Sequence, residues 1–265
     1  MRHHIVTYTG DPHSLHGAWS PPTSRANFCE EDYSLSAYIA EFINTLTNLT
    51  YVYYALRHIH AKRRIDFMSF SLLTLGICSS LFHATLLLPL EFSDELAMLG
   101  LAWSILQGFF TFNINSAKNK FIINTLLSLF FVSFSAYYVY SAKIIYHSIV
   151  FTSFPFLLMI RGVYLFYGPK AELLHFPAHI RADWVKRTYK IVGLLVFAYT
   201  LWGIDLEFCA QLRELKAWVG LPWAWLFEFH GWWHIFTGMV AARFMEIIRE
   251  MEAEAKLQQG KEKEH

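Results

Sequence analysis

Long apolar runs decide what this chain can fold into. They extend for about 20 residues with almost no charge inside them, long enough to cross a hydrocarbon core roughly 30 Å thick as helix. Hydrophobic residues make up 55% of the 265 and charged residues only 16%, and the apolar ones gather into these runs rather than into amphipathic stripes. That balance points to lipid as the solvent. An outer-membrane barrel would show segments of roughly ten residues with alternating polarity, a pattern the sequence lacks. The expectation is an all-α, polytopic membrane protein, a bundle of seven transmembrane helices near 38–58, 67–88, 94–113, 121–141, 145–167, 188–209 and 222–246. Residues 1–37 precede this membrane domain of 38–248. Residues 249–265 follow it as a charged tail, expected to be a solvated helix end that becomes disordered.

Orientation follows from lysine and arginine. One set of flanks carries Arg57, Lys62, Arg63, Arg64, Lys186 and Arg187 among others, while the opposite set holds only a few such residues. The positive-inside rule puts the N-terminus on the luminal or extracellular side and the C-terminus in the cytosol. The polar start MRHHIVTYTGDPHSLHG has no apolar signal core, so the first membrane helix is expected to direct insertion. A formal net charge of +1, with its basic residues dispersed between apolar runs, argues against nucleic acid as a partner. Nothing in the sequence calls for a protein partner.

Ionisable residues inside membrane helices are costly and ask for a partner or a role. In FEFHGWWHIFTG, His230 and His234 are four residues apart, on one helix face one turn apart. In CSSLFHATLLL, Ser79 and His83 repeat that spacing, and Asp94 is expected to open the next helix after a short turn. All five groups fall at one depth, in the luminal half of their helices. Three neutral imidazoles with an open fourth position make a catalytic zinc site, with Asp94 as proton acceptor and Ser79 as oxyanion donor. Taken singly, each residue has a plainer reading. His83 serves as an interhelical hydrogen bonder, Asp94 as a helix cap and Ser79 as small-residue packing.

A second polar cluster, NFCEEDYSLSAYIAEFINTLTN, offers Asn27, Glu30, Asp32 and Glu41 as hard oxygen donors of the kind calcium takes. The competing reading is a capped helix start with solvated acids, which fits Glu41 poorly because it lies inside the apolar run. Cys29 and Cys209 both fall on the luminal side, where oxidation is permitted, and are expected to pair. Cys78 reads as a packing residue in mid-membrane. Arg161 and Asp205 are intramembrane ionisable groups to which the pattern assigns no role.

The chain resembles the alkaline ceramidases, part of a superfamily of seven-helix membrane hydrolases that also includes the adiponectin receptors. The resemblance rests on GAWSPPTSRANFCEEDYSLSAYIAEFINTLTN, SSLFH followed by DEL, WGIDLEFC and FHGWWHIFTG, in that order. It implies a zinc-dependent amidase acting on ceramide in an endoplasmic reticulum or Golgi membrane, releasing a sphingoid base and a fatty acid. By the same resemblance His83, His230 and His234 are the zinc ligands, Asp94 handles the water and Ser79 is the adjacent polar group. A calcium site maps onto Asn27, the Phe28 carbonyl, Glu30, Asp32 and Glu41, and a disulfide onto Cys29 and Cys209. Asn27 and Phe28 stand where members have Asp and Trp, and Asp32 where they have Asn, which roughly conserves the charge of that site. The rival expectations are a receptor of the adiponectin-receptor type, opposed by the distribution of Lys and Arg, and a proton-coupled transporter using His83, Asp94 and Asp205.

Overall fold

A computed structural model of the chain describes residues 13–114, 116–168, 173 and 176–264, with side chains through 258. The first twelve residues of the expected N-terminal segment lie outside the described residues. The elements, in chain order, are α1 (Phe42–Thr47), α2 (Leu49–Lys62), α3 (Phe67–Thr85), α4 (Leu88–Thr111), α5 (Ala117–Ser141), α6 (Ile144–Tyr167), α7 (Ala178–Glu207), α8 (Cys209–Val219), a 3-10 turn (Trp223–Phe227) and α9 (Phe229–Glu264). No strand occurs among the described residues, as the all-α reading requires. Helices α3, α5, α6 and α7 are each long and apolar enough to cross a membrane.

The chain forms two compact units. The first comprises Met1–Ala97 with Gly193–Ala241, the second Met98–Val192 with Ala242–His265. In the second unit, α5 stops at Ala142 in a left-handed conformation and α6 starts two residues later. Trp103 stacks on Phe131, and Phe131 meets Phe154, giving the unit an aromatic interior. The outer faces of α5 and α6 stay apolar and exposed, with Leu126, Leu129, Val132 and Ile160 all uncovered. Lipid is the solvent such faces suit. Trp184 and Arg187 of α7 both donate to Glu250 of α9, and the Arg187 hydrogen bond holds that carboxyl below its ordinary pKa. Helix α9 continues through the segment expected to be a disordered tail, and it buries Met251 completely.

In the first unit, α3 begins with a capping box, Asp66 accepting from the Ser69 N–H while Ser69 Oγ accepts from the Asp66 N–H. Gly76 lets α2 approach closely, since a Cβ there would stand 2.8 Å from Val52 Cγ2 and 3.0 Å from the Val52 backbone nitrogen. Gly76→Val is therefore expected to lower stability by about 1–3 kcal/mol through overpacking, seen as a lower unfolding midpoint in detergent.

Two expected helix starts shift because a distant segment of the chain supplies the hydrogen bonds that set them. The helix expected from 38 starts at Phe42. Before it, the N–H groups of Ala40 and Glu41 bond the Ala84 and His83 carbonyls, left free at the end of α3, at 2.9 Å each. It is also interrupted at Asn48, whose amide donates to the Asn44 carbonyl. Helix α4 starts at Leu88 rather than near Asp94, because Thr23 Oγ1 accepts the Leu88 N–H at 2.9 Å. Glu91, in its first turn, accepts from the Arg25 and Ala26 N–H groups. Helix α7 begins ten residues earlier than the apolar run alone suggests, and α8, amphipathic and short, was not anticipated.

Candidate metal centre

His83 lies in the last turn of α3, at the spot where the chain entering α1 folds back. The two backbone bonds from Ala40 and Glu41 set the Glu41 side chain against that turn. Glu41 Oε2 lies 2.5 Å from His83 Nδ1, with both residues fully enclosed, and Asn44 Nδ2 donates to the same oxygen at 3.1 Å. A carboxylate there accepts the hydrogen bond of the Nδ1–H of a neutral imidazole and leaves the Nε2 lone pair free for a metal.

His230 and His234 come from the first turns of α9. Gly231 between them admits α1, for a Cβ there would meet Ile43 Cγ2 at 3.0 Å and Thr47 Cγ2 at 3.3 Å. Thr47 Oγ1 donates to the Ile43 carbonyl at 2.9 Å and sits 3.0 Å from His234 Nδ1. With its own hydrogen committed, the hydroxyl accepts from Nδ1–H, so His234 also presents Nε2. The ring centroids of His83, His230 and His234 are 4.5–5.1 Å apart. Their donor atoms lie within 4.8 Å of one another, and all three residues are buried. Phe28 stacks on the His230 ring at 3.7 Å. Three enclosed neutral nitrogen donors, two of them oriented by a hydrogen-bonded partner, suit a borderline transition-metal ion such as zinc.

Asp205 belongs to this frame, and it is the residue whose role the sequence did not disclose. It is completely buried, accepting the His230 N–H on Oδ1 at 3.2 Å and the Cys29 N–H on Oδ2 at 3.1 Å. One carboxylate thus ties the start of α9 to the N-terminal segment. The Cys29–Cys209 disulfide, with Cα atoms 5.3 Å apart, joins that segment to the start of α8, the pairing that the sequence led one to expect. Lys216 of α8 completes the tie, donating to both Glu228 oxygens and to the Cys29 carbonyl. Thr47, which orients His234, carried no sequence signal. Cys78 is half-buried with a free thiol, and the Arg161 guanidinium lies over the Tyr164 ring at 5.6 Å.

Ser79, one turn before His83, is buried and hydrogen-bonded to Asp94. Because α4 begins at Leu88, Asp94 sits in its second turn rather than opening it, which removes the cap reading and leaves a buried carboxylate beside Ser79.

The expected calcium donors are placed differently from the histidines. Both Glu30 oxygens accept α1 amide hydrogens, from Ile43 at 2.6 Å and Asn44 at 2.8 Å, so Glu30 caps that helix. Burial, then the charges of Glu228 and Glu41, push its pKa well above the ordinary range. Asn27 Oδ1 accepts the Phe28 N–H, and Glu41 is occupied with His83 and Asn44. Asp32 is buried. Among the described residues, the three histidines are the one group of His, Cys, Asp or Glu side chains whose donor atoms gather this closely. Glu30, Asp32 and Glu41 do not converge in that way.

The Glu41 contact makes a prediction. Glu41→Gln keeps the shape but removes the charge that supports His83, and metal affinity is expected to fall about 10–100-fold, measured by competition with a chelator.

A helical membrane protein with a buried three-histidine centre is the class these observations define. The family model described as Ceramidase matches residues 20–265, and the chain belongs to the ceramidase family. It is therefore an enzyme, a hydrolase acting on the amide bond of ceramide. Among curated proteins it is 28% identical to alkaline ceramidase 3 of Mus musculus, over 84% of this chain and 82% of that one. It is also 28% identical to an alkaline ceramidase of Saccharomyces cerevisiae, over 85% of this chain and 76% of that one. With the alkaline ceramidase of Arabidopsis thaliana the identity is 27%, over 82% of this chain and 80% of that one.

Proposed function

We propose that the chain is a zinc-dependent ceramide amidohydrolase of the alkaline ceramidase type, releasing a sphingoid base and a free fatty acid. The observation that carries the zinc assignment is the convergence of the three buried imidazoles. Held by His83, His230 and His234, zinc supplies Lewis acidity toward the amide carbonyl and toward water. Glu41 and Thr47 hold two of the imidazoles in the tautomer that presents Nε2. Asp94 accepts the proton of the attacking water and passes it to the leaving amine nitrogen. Ser79 orients Asp94 at rest and, on turning its hydroxyl, donates to the oxygen of the carbonyl under attack. The lipid enters sideways or from the luminal leaflet, its acyl chain among apolar side chains.

Seven membrane crossings, a luminal N-terminus and a cytosolic C-terminus complete the reading, supported by the apolar helices and the asymmetry of Lys and Arg, and residence in the endoplasmic reticulum or Golgi is proposed on the resemblance alone. A calcium ion held by Asn27, the Phe28 carbonyl, Glu30, Asp32 and Glu41 is proposed on the resemblance and the burial of its acids, and no step depends on it. Neither a receptor nor a transporter role is favoured by any observation beyond the shared residues.

Zinc content and sphingoid-base release, measured on one detergent-purified sample, test the proposal. About one zinc per chain together with release is expected. A folded preparation that hydrolyses ceramide without zinc overturns the metal assignment, and zinc without release overturns the substrate.

A further inference from the structure

In the second unit, the end of α6 and the start of α7 enclose an open cavity of about 710 Å³. Arg181, Lys186 and Lys190 line it together with Phe166, Tyr167 and Tyr189, and no acid is among the described lining residues. Of the described acids nearby, Asp183 and Glu250 both pair with Arg187. Arg181 Nε is buried with no hydrogen-bond partner among the described residues. Tyr167 and Tyr189 hydrogen-bond each other at the rim, and both are largely exposed. Three cations facing one hollow at the end of two apolar helices, one of them with a buried, unpartnered Nε, suit an anion. Arginine forks and lysine ammonium groups suit phosphate oxygens best, and basic hollows between helices at a membrane surface suit anionic headgroups.

We propose that this cavity binds the phosphate monoester headgroup of an anionic membrane lipid, with Arg181, Lys186 and Lys190 as its cationic contacts and the Phe166 side taking the start of the acyl chains. The site is independent of the metal centre and of the proposed hydrolysis.

The test is thermal unfolding of the full chain in nanodiscs of phosphatidylcholine, with and without phosphatidylinositol 4-phosphate. Two controls are discs with phosphatidylglycerol at matched surface charge and plain discs with inorganic phosphate in the buffer. The phosphoinositide is expected to raise the midpoint in a saturable way and more than either control. In Arg181→Gln/Lys186→Gln/Lys190→Gln its affinity is expected to weaken about a hundredfold, and in Lys186→Gln alone by several-fold. Both variants are expected to unfold at the parent midpoint in plain discs and to keep ceramide release there. An equal shift with phosphatidylglycerol reduces the patch to diffuse surface attraction and overturns the proposal. A shift matched by inorganic phosphate overturns the lipid assignment, and a phosphoinositide response undiminished in both variants overturns the residue assignment.

Discussion

His230→Ala is expected to abolish both metal binding and ceramide hydrolysis. The substitution removes one of three donors that lie within 4.8 Å of one another. Among the described residues no nearby side chain replaces it, because Phe28 covers the ring's face and Asp205 is held by two backbone N–H groups. The loss of affinity should exceed the roughly 10–100-fold typical of removing an outer partner, and activity should fall to background. Metal analysis and sphingoid-base release on the same sample read both effects. The matching control is His147→Ala in α6, another buried histidine but outside the cluster. It is expected to leave the metal in place, so an equal loss there would mean that burial rather than ligation explains the first result.

Asp94→Asn should separate binding from chemistry. The amide keeps the size of the carboxylate and its place beside Ser79, and Asp94 is not among the converging donors. Metal content is thus expected to stay at the parent level. Turnover should drop by about 10²–10⁴-fold, the usual contribution of a positioned general base. Hydrolysis at the full rate with normal metal content would remove Asp94 from the mechanism and leave proton transfer to another group.

The sequence made the histidines legible because their information is local. A four-residue spacing on an apolar helix states that two side chains share a face, and a charge-poor run states that its polar residues need a reason. The disulfide was legible from topology. What stayed hidden depends on contacts between remote segments. Asp205 stood out as a buried acid, yet its partners are backbone N–H groups at positions 29 and 230, which no side-chain pattern encodes. The start of α4 was misplaced for the same reason, since Thr23 and the Arg25–Ala26 backbone complete a turn more than sixty residues away. Helix α8 escaped notice because its apolar face is short, although Leu212 and Lys216 are buried. Glu41 was singled out correctly as a residue that water does not explain. Its neighbour is His83, through a backbone fold-back at 40–41 that hydropathy does not register.

The candidate centre draws one histidine from α3 and two from the opening turns of α9. During synthesis the ribosome therefore delivers His83 well before its companions. On the proposed metal assignment, a nascent chain that still lacks the opening turns of α9 cannot assemble the centre, and ceramide hydrolysis would begin only once those turns have met the end of α3.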